Sequence, residues 1–145
     1  MGAANRWKEI LLAEDSPADA DLLRISLRDY GRLPCRLHVV PDGEAVLAFL
    51  RHEGLYAGMP RPDLLILDIG LPKVGGWKVL KTIRATPALA SMPVVMLTGA
   101  MMEMDAVHRE ALRPLAYYVK PVLLSEYRQL VEEIGQLLTT LPRTG

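Results

Sequence analysis

Apolar residues in this chain fall into short unbroken runs, separated by longer stretches in which they recur every three or four positions. Leu64-Leu65-Ile66-Leu67 is one such run, set between Pro62-Asp63 and Asp68. A strand with one wet face would alternate apolar with polar, so this run predicts a short strand buried on both faces and ending on a carboxylate. Lys8 to Ala13, Cys35 to Val40, Pro93 to Leu97 and Ala116 to Val119 read as further strands. Helical patterns lie between them. Ser16, Pro17 and Asp19 form a helix start, Leu23, Leu27 and Tyr30 its stripe, and Gly31 its end. Val46, Phe49 and Leu50 follow the Asp42-Gly43 turn, and Val79, Leu80 and Ile83 follow Gly75-Gly76. Met104, Val107 and Ala111 mark another helix, ended by Pro114. Tyr127, Leu130, Val131, Ile134, Leu137 and Leu138 mark the last, which begins near Ser125. His52 to Pro62, rich in proline and glycine, reads as a loop with Tyr56 and Met59 exposed.

Strand and helix thus alternate five times, which implies right-handed crossovers and a parallel sheet with helices on both faces. The expected fold is a flavodoxin-like, doubly wound α/β sheet in the strand order 2-1-3-4-5, common for this size. At 145 residues the chain reads as one domain, with a core from about residue 8 to 138. Only one helix and a short tail follow Pro121, so no output domain is expected. Lysine plus arginine equal aspartate plus glutamate at 17 each, which disfavours direct binding of nucleic acid through its phosphates. The single Cys35 excludes an internal disulfide framework and a thiolate metal site and fits a reducing cytoplasm. No apolar run reaches signal or spanning length, so neither secretion nor a membrane partner is expected.

The polar residues that end the strands change the picture further. Glu14 and Asp15 follow the first strand, Asp68 the third, Thr98 the fourth and Lys120 the fifth. In a parallel sheet they all face the crevice beyond the carboxyl ends, where ligands collect. Three crowded carboxylates repel one another unless a cation joins them, and hard oxygen donors with spare positions suit Mg²⁺. A lysine and a threonine beside them can hold phosphoryl oxygens, which makes a site for a carboxylate nucleophile attacking a phosphoryl group. Taken singly, Ser16 and Thr98 are ordinary helix caps, Lys120-Pro121 a turn and Tyr117 a packed aromatic. All of those readings must hold together to defeat the phosphoryl site. His38, His52 and His108 show no metal-ligand spacing and read as structural or surface residues, and Met101, Met102 and Met104 as core filling.

Glu14-Asp15, Asp68 with Pro72 four residues on, Gly76, Thr98-Gly99 and Lys120-Pro121 resemble the receiver domain of two-component response regulators, in that family's order and near its spacing. The resemblance implies that Asp68 is the phosphoacceptor and that Asp15 and Asp68 ligate Mg²⁺, with the Gly70 carbonyl as a further ligand and Glu14 acting through metal-bound water. It implies that Thr98 and Lys120 contact the phosphoryl group and that Tyr117 is an aromatic switch paired with Thr98. The partner it implies is a sensor histidine kinase. The chain would be a phosphoacceptor that assists its own phosphoryl transfer and autodephosphorylation rather than an enzyme acting on an external substrate. The loop from His52 to Pro62 and the Tyr-Val-Lys-Pro-Val ending are most similar to small stand-alone regulators that partner phytochrome-type kinases. Gly70 and Ala100 depart from the family, which often has polar side chains there, and Arg113-Pro114 stands where Gly-Ala is common. Leu123, Leu124, Leu138 and Leu141 exceed what one buried helix face requires and predict a homodimer through the last helix. Three alternatives remain: a Mg²⁺-dependent phosphohydrolase with Asp68 as nucleophile, a phosphorylation-independent adaptor, and a nucleotide- or flavin-binding module. The phosphohydrolase lacks a second acid at Gly70, and the module lacks a glycine-rich loop after the first strand.

Overall fold

The computed structural model describes residues 7–31, 33–99 and 111–141. Five parallel strands, β1 (Lys8–Ala13), β2 (Cys35–Val40), β3 (Leu64–Asp68), β4 (Val94–Thr98) and β5 (Ala116–Val119), form one sheet in the order β2-β1-β3-β4-β5. Helices α1 (Pro17–Tyr30), α2 (Gly43–Leu50), α3 (Gly76–Ala85) and α4 (Leu124–Thr140) connect and cover it. Both the fold class and the strand order expected from the sequence are observed. The helix expected around Met104 and Val107 lies outside the described residues, as do Ala100, Met101, Met102 and His108.

Successive side chains of a strand point to opposite faces, so the unbroken apolar runs divide between two cores. Leu11, Ala13, Leu65, Leu67, Val94 and Met96 pack with α2 and α3 residues such as Phe49, Val79 and Ile83. Ile10, Leu12, Leu64, Ile66, Val95 and Leu97 pack on the other face with Leu23, Tyr127, Val131 and Ile134 of α1 and α4. Every residue of β3 and β4 is buried. Such strands carry polar residues only at their last positions, and for that reason the polar groups gather at the ends.

Local chemistry sets the helix starts that face this end of the sheet. The Ser16 hydroxyl accepts from the Asp19 N–H at 3.2 Å, and the Asp42 carboxylate from the Ala45 N–H at 2.8 Å. At the head of α3, Gly76 donates its N–H to the Ile69 carbonyl at 3.0 Å. A Cβ on Gly76 would stand 2.6 Å from the Asp68 carbonyl oxygen and 2.7 Å from the Ile69 Cα, so only glycine lets α3 begin this close to β3. α4 begins at Leu124, without a capping side chain at Leu123. The Glu126 carboxylate accepts instead from the N–H groups of Val122 and Leu123, at 3.0 and 2.8 Å.

Several local expectations need correction. Gly54–Tyr56 within the expected loop form a short 3-10 turn, and Tyr56 is half-buried with its ring 5.4 Å from that of Phe49. An aromatic ring beside a core phenylalanine gains more by packing than by facing water. Met59 is exposed, as expected. Leu138 is buried and Leu141 packs on the α1/α4 core, so neither adds to an apolar surface. Near the start of α4 the exposed apolar residues are Val122, Leu123 and Leu124, which are 85%, 61% and 53% exposed.

Candidate functional site

Four strand ends converge on one acidic crevice. Asp68 is the last residue of β3, Thr98 the last of β4, Glu14 follows β1 and Lys120 follows β5. Neighbouring elements fix each of them through the backbone. The Glu14 N–H donates to the Val40 carbonyl at 3.0 Å, the Ile69 N–H to Leu97 at 2.9 Å and the Lys120 N–H to Thr98 at 2.7 Å. Because β3 is central, Asp68 lies between the ends of β1 and β4. Carboxylate oxygens of Glu14, Asp15 and Asp68 lie within 4.8 Å of one another. Glu14 and Asp68 are buried while Asp15 faces solvent.

Lys120 crosses the top of β4 to reach these acids. Its ammonium lies 2.8 Å from Glu14 Oε1, 3.2 Å from Asp19 Oδ2 and 3.3 Å from Asp68 Oδ2. Burial alone would lower the lysine's proton affinity, but the hydrogen bond it donates to Glu14 and the charges of Asp68 and Glu14 outweigh it and hold the ammonium well above its usual range. Lys120 is therefore a permanent cation in this crevice. Burial pushes the Glu14 carboxyl up, against the hydrogen bonds from Lys120 and from the Ser16 N–H at 3.1 Å. One ammonium among four carboxylates leaves an excess of negative charge. The donor set is hard and open to water on the Asp15 side, so these residues fit a divalent cation.

Asp68 Oδ1 accepts the Gly70 N–H at 3.0 Å, which fixes one carboxylate oxygen and leaves the other toward Lys120. The loop after β3 is held beside the site by a 3.4 Å bond from the Gly43 N–H to the Pro72 carbonyl and by ion pairs from Lys73 to Asp42 and Glu44, at 3.5 and 3.7 Å. Thr98 is fully buried. Tyr117 is half-buried on the α3 face, its ring 6.2 Å from that of Trp77. His38 is structural, as expected, with Nε2 2.8 Å from the buried Glu9 carboxylate.

All the strand-end residues picked out in the sequence are thus assembled. Two others were missed. Asp19 contacts Lys120 from the first turn of α1, four residues beyond Asp15, a spacing that places both acids on one side of a helix start. Arg84, at the end of α3, donates to the carbonyls of Leu112, Ala90, Met92 and Arg113 at 2.8, 3.1, 2.7 and 3.2 Å, tying the segment before β5 to α3. No local pattern marks it.

A parallel sheet in this order, with clustered carboxylates and a lysine at its carboxyl ends, defines the receiver class of signalling domain. The chain belongs to the response regulator receiver domain family, which it matches over residues 10–132. It is 37% identical over 131 residues to the response regulator Rcp1 of Synechocystis sp., covering 90% of this chain and 88% of that protein. The crystal structure of the phosphorylated cyanobacterial phytochrome response regulator RcpA superposes with a TM-score of 0.83 at 37% identity, covering 93% of this chain and 96% of RcpA. The Mn²⁺-bound form of Rcp1 superposes with a TM-score of 0.84 at 36% identity, covering 95% of this chain and 99% of that one. The protein is a response regulator receiver domain, a phosphoacceptor of two-component signalling homologous to phytochrome response regulators. Among the described residues no helix is long and apolar enough to cross a membrane.

Proposed function

We propose that Asp68 takes a phosphoryl group from a phosphohistidine on a phytochrome-type sensor histidine kinase, and that Mg²⁺ is the cation of the site. The observation that carries this is the placement of the Asp68 carboxylate, buried at a strand end, beside Lys120 and two further acids. A carboxylate oxygen of Asp68 attacks phosphorus, the phosphorus–nitrogen bond breaks, and the donor imidazole leaves with the electron pair. Mg²⁺, held by Asp15, Asp68 and the Gly70 carbonyl, with Glu14 reached through water, would neutralise charge on the transferring group. Lys120 and the Thr98 hydroxyl bind the phosphoryl oxygens, and Tyr117 turns toward Thr98 as it moves. Hydrolysis of the acyl phosphate then resets Asp68. The phytochrome pairing rests on the likeness to Rcp1 and RcpA.

Output passes through protein contacts of the receiver domain. A second copy of the chain covers Val122, Leu123 and Leu124 at the start of α4, three adjacent apolar side chains left exposed. Sedimentation that finds only monomer at high concentration, with and without a phosphoryl mimic, removes the homodimer.

The central test is intact-protein mass after incubation with acetyl phosphate and Mg²⁺, beside Asp68→Asn. A single phosphate-sized gain that requires Mg²⁺ and is lost in the variant is expected. No gain, where a control receiver is labelled, overturns the reading.

A further inference from the structure

An ammonium has three N–H bonds, and in this structure Lys120 faces three carboxylates, those of Glu14, Asp19 and Asp68. Its donor capacity is therefore filled. A phosphoryl oxygen on Asp68 must therefore compete with these acceptors for Lys120.

The three differ in what release costs. The side chains of Glu14 and Asp68 are 3% and 8% exposed and belong to the proposed cation site, so bound metal takes over their charge and loosens their hold on Lys120. The Asp19 side chain is 35% exposed, and water can replace the lysine there. Asp19, Lys120 and the buried Tyr127 of α4 line one small cavity beside the crevice. α1 and α4 pack directly together at this point.

We infer that Asp19 is a positioning residue that holds Lys120 in a resting pose and competes with a phosphoryl group for the lysine. It opposes phosphorylation by competing for the same cation. Asp19 touches neither the acceptor carboxylate nor the transferring group; it acts through Lys120 alone. The inference rests on the phosphoacceptor reading of Asp68 and adds a residue to it.

The test is the affinity of the full chain for beryllofluoride, a non-covalent phosphoryl mimic, at saturating Mg²⁺. Asp19→Asn keeps the size of the side chain and removes its charge, and the affinity is expected to rise about two- to fivefold, the range of a partly exposed ion pair. Asp21→Asn, two residues further along α1 with its side chain 69% exposed, controls for a general change in charge. The Lys120 side-chain signals in the unliganded protein should move in Asp19→Asn and stay in place in Asp21→Asn. An unchanged or lowered affinity in Asp19→Asn, or an equal rise in Asp21→Asn, overturns the inference. Failure of the wild-type protein to bind the mimic would instead overturn the phosphoacceptor reading itself.

Discussion

The Lys120 ammonium lies nearer Glu14 Oε1, at 2.8 Å, than Asp68 Oδ2, at 3.3 Å. A lysine delivered by β5 thus spans the ends of β4 and β3 to reach an acid that follows β1. Lys120→Met leaves two buried carboxylates without a counter-charge and is expected to cost about 1–3 kcal/mol of stability in metal-free buffer. A divalent cation should restore part of that loss. Urea unfolding with and without metal measures both, and equal stability of variant and wild type in chelator would contradict the electrostatic account.

Gly76→Ala tests the close approach of α3 to β3. The added Cβ would meet backbone atoms at 2.6 and 2.7 Å, with no flexible side chain to yield. A loss of about 1–3 kcal/mol is expected, together with slower labelling of Asp68 by acetyl phosphate, because the clash falls on the carbonyl of Asp68 itself. Wild-type unfolding and labelling would show that this helix start can shift freely.

Arg84→Met removes a cation that binds four carbonyl groups on two segments, before β4 and before β5. Hydrogen bonds to a charged donor are the stronger kind, and about 2–3 kcal/mol should be lost. Amide exchange gives a local check. The Leu115 N–H, bonded to Val94 at 2.7 Å, should lose protection before the amides of β1 do. Uniform loss across the sheet would deny Arg84 a local role.

Cys35 supplies a pH dependence. Burial, with a smaller push from Asp63 against a pull from Lys8, moves its thiol from 9.0 up to about 11. The folded state therefore favours the protonated form, and the stability this contributes is complete below pH 9 and lost as pH rises through about 11. Alkylation at pH 8 is expected to be roughly 100-fold slower than for a free thiol, following the thiolate fraction. Labelling at pH 8 at the rate of glutathione would rule out the raised value.

Most of the architecture was legible because it is written in local periodicity. Apolar runs such as Leu64 to Leu67 are buried on both faces wherever they sit in a parallel sheet, and Ser16, Asp42 and Gly76 start helices through contacts within a few residues of themselves or with the adjoining strand end. Tyr56 and Leu138 were misjudged because their burial depends on the surfaces opposite them, Phe49 and the α1/α4 core.

By itself, the sequence determined the alternation of strands and helices, the double burial of the central strands and the identity of the polar residues at their ends, since each follows from short-range patterning and the sterics of one element. Only the tertiary structure decided which of those ends become neighbours. With β3 between β1 and β4, the acids of two strands share one crevice, and the long side chain of Lys120 bridges them. The part played by Asp19, and the four carbonyls gathered by Arg84, arise where elements distant along the chain pack together. Such contacts carry no periodic signal, because their partners are set by the packing of the whole sheet and its helices.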